Sequence, residues 1–147
     1  QKDFFKKIGK WSEDKFWMYS EDPDICLKAI NNGKKIALLR NIQLKHQHGG
    51  SSRRNTKTTA ITKSEVVTSS HVFIHTHTSG INRLALHLVI MVNTLISWVL
   101  RTIITLPFFW KSFFRANLFT LIAIIKYYLS VLIRWTWKSK RLKNNEP

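Results

Sequence analysis

Residues 15–52, KFWMYSEDPDICLKAINNGKKIALLRNIQLKHQHGGSS, decide how the chain reads. The protein holds 24 Lys and Arg against 8 Asp and Glu, yet Glu21, Asp22 and Asp24 fall within four consecutive positions. An acidic cluster in so basic a chain needs a reason. One reason is a helix start. Asp22 would be the N-cap and Pro23 the first helical residue, with Ile25, Ala29 and Ile30 on an apolar face that Asn31, Asn32 and Gly33 end. KKIALL (34–39) and IQLKH (42–46) follow as short strand candidates. Upstream, DFFKKIG (3–9) reads as a short helix closed by Gly9, and Trp11 to Tyr19 as a loop leading into a short strand. Helix followed by strands predicts an α/β or α+β unit.

The length of 147 residues suits one ordinary domain. The chain opens at Gln1 with no charged-then-apolar signal pattern, so it is expected to be part of a longer protein. The net charge of +16 is spread over both halves: residues 1–80 carry 14 basic and 7 acidic side chains, residues 81–147 carry 10 and 1. Such a balance seeks anionic partners. In the second half the basic residues are interleaved with long apolar runs, which favours a membrane surface over nucleic acid, and no nucleic-acid-binding module is recognisable. The single Cys26 allows no disulfide within the chain and fits a reducing compartment.

GGSSRRNTKTTAITK (49–63) is polar, basic and rich in Gly, Ser and Thr, and is expected to be a surface loop. Beyond it the composition changes. Residues 84–100 form a run of 17 without a charge between Arg83 and Arg101, and residues 116–133 form a run of 18 interrupted only by Lys126. Both approach the roughly 20 residues that cross a bilayer. On a helical wheel Lys111, Arg115, Lys126, Ser130, Arg134 and Lys138 share about half of the circle, with Leu118, Leu121, Ile125, Leu129 and Leu132 mostly elsewhere. That is a basic amphipathic helix, and Trp110, Tyr127, Tyr128, Trp135 and Trp137 suit the headgroup level. Three placements remain open: lying in the interface, spanning, or packing against other protein.

The block FFKKIGKWSEDKFWMYSEDPDICLKAINNGKKI, followed by KHQHGGSS, resembles the C-terminal half of the catalytic domain in family 2 glycosyltransferases, particularly bacterial rhamnosyltransferase-like members. Those enzymes carry a Gly-Gly-Phe-Asp-Glu turn and a Phe-hydrophobic-Tyr segment. Glu-Asp-x-Asp-Leu-Cys-Leu-Arg follows, and then a His with Gly and Ser behind it. The likeness covers about residues 3–54, with a weaker echo in SSHVFIHTHTSG. Lys10 and Trp11 depart from the turn, and the histidine doublet is split into His46 and His48.

The resemblance implies an α/β fold, the C-terminal fragment of a GT-A (Rossmann-like) domain over residues 1–80, followed by membrane-associated helices over 81–147. It implies an inverting transfer from a nucleotide-sugar donor to a glycan or lipid-linked acceptor in cell-surface polysaccharide synthesis, at the cytoplasmic face of the plasma membrane. Asp22 would be the general base that takes the acceptor proton. Glu21 would orient the acceptor or its loop, and Asp24 would serve the positive end of the helix. His46 would help hold a divalent cation, Mg or Mn, against the donor diphosphate. Arg53 and Arg54 could fold over that diphosphate. The nucleotide-binding strands and an Asp-x-Asp motif would lie upstream of Gln1, leaving these residues inactive alone.

Plainer readings stand beside each role. Asp22 could be an N-cap only, His46 a strand-end histidine, and Arg53 and Arg54 a solvated pair. His71, His75 and His77 have partial zinc spacing but lack a clear fourth ligand, and the echo around them suggests a helix packed beside the active site. The runner-up function is a non-enzymatic basic adaptor that binds anionic membrane.

Overall fold

Gly9 adopts φ 85° and ends the first helix, α1 (Lys2–Lys7), as its position in the sequence predicts. The computed structural model describes residues 2–43, 45 and 55–142. After α1 come α2 (Glu21–Asn31), α3 (Thr56–His77), α4 (Gly80–Thr105), a short 3-10 turn at Leu106–Phe108, and α5 (Ser112–Arg134). α2 stops just before Gly33, whose φ of 72° turns the chain so that the Lys34 N–H reaches back to the Ala29 carbonyl at 3.0 Å.

The expected α/β, Rossmann-like GT-A architecture is not what forms: the described residues are helical and contain no strand. The strand candidate at 34–39 is irregular chain, as is the segment from Trp11 to Tyr19. The physical reason lies in pairing, since a lone apolar run has no ladder to satisfy its amides and no second layer to cover its side chains. Leu38 is accordingly 87 % exposed and Leu39 63 %. In IQLKH (42–46), Ile42 and Gln43 are also irregular, while Leu44 and His46 lie outside the described residues.

The loop expected over 49–63 is corrected as well. From Thr56 it is helix, and Asn55 caps it by accepting from the Thr58 N–H at 2.9 Å. α3 has no apolar stripe to betray it. Nine of its 22 residues are Ser or Thr, and several hydroxyls fold back on their own helix, as Thr62 does to the Thr58 carbonyl. Tertiary packing holds it.

α3, α4 and α5 pack on one another in all three pairs, with α3 meeting α4 at His87 and Trp98. α4 runs antiparallel to α5 around the turn at Pro107, with Asn117 Nδ2 donating to Thr105 Oγ1 at 3.4 Å near the joint. α3 runs parallel to α5 and lies beside it from Arg115 to Tyr128. Their shared interior holds Ile124, Thr120 and Val131 of α5 against Ala60, Val72 and Ile74 of α3. It also holds a polar aromatic cluster. His71 Nδ1 lies 2.8 Å from His87 Nδ1, His71 Nε2 lies 3.0 Å from the Tyr128 hydroxyl, and Trp137 stacks on the His87 ring at 4.0 Å.

α4 and α5 are each long and apolar enough to cross a membrane. At 1.5 Å per residue they measure about 39 and 34 Å, against about 30 Å of hydrocarbon. The outer face of α4 has no protein over it, with Ile81, Val89, Ile103 and Ile104 all more than half exposed. These features support membrane association. The basic stripe is shorter than the wheel suggests: Lys111 precedes the first turn, and α5 ends at Trp135 in the left-handed region before Lys138.

Candidate functional site

The acidic cluster divides into one structural acid and two free ones. Asp24 is fully buried. Its Oδ2 accepts from Ser12 Oγ at 2.8 Å and pairs with Lys28 Nζ at 2.8 Å, one helical turn on, while its Oδ1 meets His77 Nε2 at 2.8 Å. Burial raises the carboxyl pKa, but the hydrogen bonds from Lys28, Ser12 and His77 and the Lys28 charge together hold it below its ordinary value. Asp24 thus fastens α2 to the last turn of α3, a larger role than serving its own helix dipole. Ser12, Asp24 and His77 do not form a nucleophile relay, because Ser12 and His77 both turn to the carboxylate, and Lys28 Nζ, at 2.5 Å from the Ser12 hydroxyl, donates to it while paired with Asp24.

Glu21 and Asp22 are left at the head of α2. The helix begins at Glu21, so Asp22 sits inside the first turn rather than at the N-cap; Ser20 occupies the cap and makes no side-chain capping bond. Asp22 is exposed, and neither acid has a hydrogen bond or ion pair among the described residues. Glu21 is half-buried, and its Oε2 is shielded from solvent without a partner. Such an oxygen costs desolvation that nothing here repays.

The turn that delivers these acids is strained. Tyr19 and Ser20 are consecutive left-handed residues, φ 69° and 67°, each costing on the order of 1 kcal/mol or more for a side chain with a Cβ. The surroundings hold the turn in place: Ser69 Oγ of α3 donates to the Met18 carbonyl, and the Asp24 N–H donates to the Ser20 carbonyl at 3.0 Å. α3 therefore packs beside the acid turn, in the region where SSHVF falls. Trp17 and Tyr19 stay part-exposed next to the acids, and the Arg141 guanidinium lies over the Trp17 ring at 5.6 Å.

The remaining sequence candidates separate. His46, Arg53 and Arg54 lie outside the described residues, as does His48. Among the described residues no group of three or more His, Cys, Asp or Glu side chains is placed to hold a metal, so the acid turn by itself does not make a divalent-cation site. The three histidines of α3 diverge: His71 faces His87 and Tyr128, His77 faces Asp24, and His75 is exposed, which removes the zinc reading. Sequence reasoning missed the Ser12, Lys28 and His77 anchor. Only the four-residue spacing of Asp24 and Lys28 signalled any part of it. Comparison of the chain with protein-family models, with characterised proteins and with solved structures finds no match.

Proposed function

We propose that the chain is the acid-bearing, membrane-attached part of a glycosyltransferase in which Asp22 is the general base. In this reaction an acceptor hydroxyl oxygen attacks the anomeric carbon of a nucleotide sugar. The bond from that carbon to the diphosphate breaks, the nucleoside diphosphate leaves with the electron pair, and the hydroxyl proton passes to the Asp22 carboxylate. The observation that carries this reading is the division of the acids: Asp24 is consumed in anchoring α2, while Asp22 is solvent-facing and unpaired in the helical turn that follows the strained Tyr19–Ser20 pair. Strain of that kind collects where geometry serves chemistry. The likeness of SEDPDICLKA to family 2 glycosyltransferases supplies the reaction class. Glu21, with its shielded free oxygen, would accept from a second acceptor hydroxyl. Trp17 and Tyr19 offer part-exposed rings of the kind that cover the apolar face of a sugar. His46, Arg53 and Arg54 are proposed to serve the donor diphosphate and its divalent cation, and no step above runs through that ion.

Attachment to the membrane is proposed to be interfacial, on the cytoplasmic side. α3 lies beside α5 over most of its length, and it carries Lys57, Lys63 and nine hydroxyl residues. Were α5 to span, Lys63, over the Trp98 ring of α4, would be carried into hydrocarbon, where a lysine costs about 2.5 to 3.5 kcal/mol at the bilayer centre, and Lys57 would sit nearer the edge. A placement with α4 and α5 facing lipid and α3 facing water avoids that cost. The free Cys26 and the excess of cations suit the cytoplasmic face.

The deciding test uses membranes from cells expressing the complete gene, supplied with a panel of nucleotide sugars and assayed for nucleoside diphosphate release. Turnover that falls by about 10²- to 10⁴-fold in Asp22→Asn, with nucleotide-sugar binding retained, is the expected result. Unchanged turnover in the variant would remove Asp22 from the mechanism. No turnover with any donor, beside intact membrane binding, would favour the basic adaptor.

A further inference from the structure

Lys126 stands between two cavities, of which only one has an acid in its lining. On one side is a polar cavity of about 340 Å³ between α3, α5 and the segment after α5, lined by Glu65, Lys126, Lys140 and Arg141 with Ser and Thr hydroxyls. On the other is a mostly apolar groove of about 370 Å³ between Ala60 and Ile61 of α3 and Phe119 and Ile122 of α5. Ala123 and Lys126 line both.

The polar cavity is built for charge of both signs. Glu65 is 2 % exposed; its Oε1 pairs with Arg141, and its Oε2 is buried with no partner. Most hydroxyl protons around it are already committed: Ser64 donates to the Ile61 carbonyl, Thr68 to the Ser64 carbonyl, and Ser130 to the Tyr127 carbonyl, whereas Ser139 Oγ accepts from the Arg141 N–H and keeps its own proton. Tyr127 likewise donates to the Trp137 carbonyl. The uncommitted donors are then the Ser139 hydroxyl and the ammonium groups of Lys126 and Lys140, which have no ion pair among the described residues. Two cations beside one hydroxyl favour an anion, and a phosphate ester answers all three. The buried Glu65 oxygen in the same lining requires a donor on the same ligand, such as an ammonium or a hydroxyl.

We infer that the paired cavities form a binding site for one glycerophospholipid, its phosphate on Lys126 and Lys140, a donor-bearing head group such as ethanolamine on Glu65, and an acyl chain in the apolar groove. A soluble phosphate ester would satisfy the polar half only. The groove that continues past Lys126 is what commits the site to a lipid. The inference is independent of catalysis at Asp22, since its readout is binding.

The test is native mass spectrometry of the delipidated full chain in detergent, titrated with dioleoyl phosphatidylethanolamine, dioleoyl phosphatidylcholine or water-soluble phosphoethanolamine. The ethanolamine lipid should bind about tenfold more tightly than the choline lipid, whose quaternary nitrogen cannot donate, and Lys126→Gln should weaken it about tenfold. Glu65→Gln should abolish the preference between the two lipids. Lys126 is exposed, so its variant is expected to fold even if the Glu65 variant does not. Equal binding of the two lipids by the unsubstituted protein would overturn the inference. So would unchanged binding in Lys126→Gln, or phosphoethanolamine binding as tightly as the lipid, which would mark a site for a soluble ester.

Discussion

His77 Nε2, in the last turn of α3, meets Asp24 Oδ1, in the first turn of α2, at 2.8 Å across 53 residues of chain. With Lys28 and Ser12 on the other oxygen, this contact fixes where the acid turn sits relative to the three packed helices. Removing the carboxylate should loosen the attachment of α2. Lys28 and His77 retain some solvent access, so they are not stranded as buried charges, and Asp24→Asn is expected to cost about 1 to 3 kcal/mol. Asp22→Asn, at an exposed and unpartnered position, should stay within about 0.5 kcal/mol of the parent. Denaturant unfolding of both variants in the same detergent checks the contrast. Equal destabilisation would mean that the two acids are not divided as described.

The same acid and two buried histidines set the response to pH, for burial lowers the His87 pKa as well, to about 4, and His71 carries the larger shift. Burial, with the His87 charge as a smaller cause, drives the His71 pKa down to about 3. An unfolded histidine titrates near 6.5, so below that value the unfolded state binds a proton that the folded state refuses. Stability supplied by neutral His71 is therefore full above about pH 6.5 and falls progressively toward pH 3. Asp24 acts later. Its folded pKa is lowered, so its contribution is present above the unfolded value near 3.9 and is lost as pH falls below it. Melting temperature followed from pH 7 to pH 4 should decline, and His71→Gln should flatten that decline. An undiminished slope in the variant would place the titrating group elsewhere.

A smaller effect is expected at the start of α3. Asn55 Oδ1 satisfies the Thr58 N–H, one of four amides that a helix leaves open at its N-terminus. Asn55→Ala should cost about 1 kcal/mol and Asn55→Asp very little, since aspartate caps equally well. Thermal unfolding of the two variants measures the difference.

Some of this architecture was legible in the sequence. Gly9 and Gly33 marked helix ends because each is needed with positive φ, and the apolar runs at 84–100 and 116–133 marked α4 and α5 because length and hydropathy suffice for an apolar helix. α3 was not legible. A helix that buries Ser64, Thr68, Ser69 and His71 has no periodicity of hydrophobic residues, and what stabilises it belongs to its neighbours. The strand candidates at 34–39 and 42–46 misled for the converse reason: IALL has strand composition, but composition cannot provide a partner edge. At the site, Glu21 and Asp22 could be found as acids out of place in a basic chain. Their separation from Asp24 could not, because Ser12 and His77 are far away in sequence.

The attachment of the packed helices gives the last prediction. Arg115 and Arg134 are exposed on α5, near its two ends, beside a face that shows Ile125, Leu129, Leu132 and Ile133 to the outside. If that face lies in an anionic interface, each basic residue near the surface adds about 1 kcal/mol of attraction to the apolar burial. Replacing both by Gln should weaken binding to phosphatidylglycerol-containing vesicles roughly thirtyfold and change binding to phosphatidylcholine vesicles little. Salt should imitate the substitutions, since at 1 M the reach of a surface charge shrinks to about 3 Å. A spanning hairpin obeys different physics: once α4 and α5 are surrounded by hydrocarbon, burial dominates, and neither salt nor alkaline carbonate extracts them. Vesicle flotation of the full chain at low and high salt, with and without Arg115→Gln and Arg134→Gln, separates the two. Salt-insensitive binding that is equal on both vesicle types would reject the interfacial placement and leave α4 and α5 crossing the bilayer, with Lys63 of α3 then requiring a polar surface to face within it.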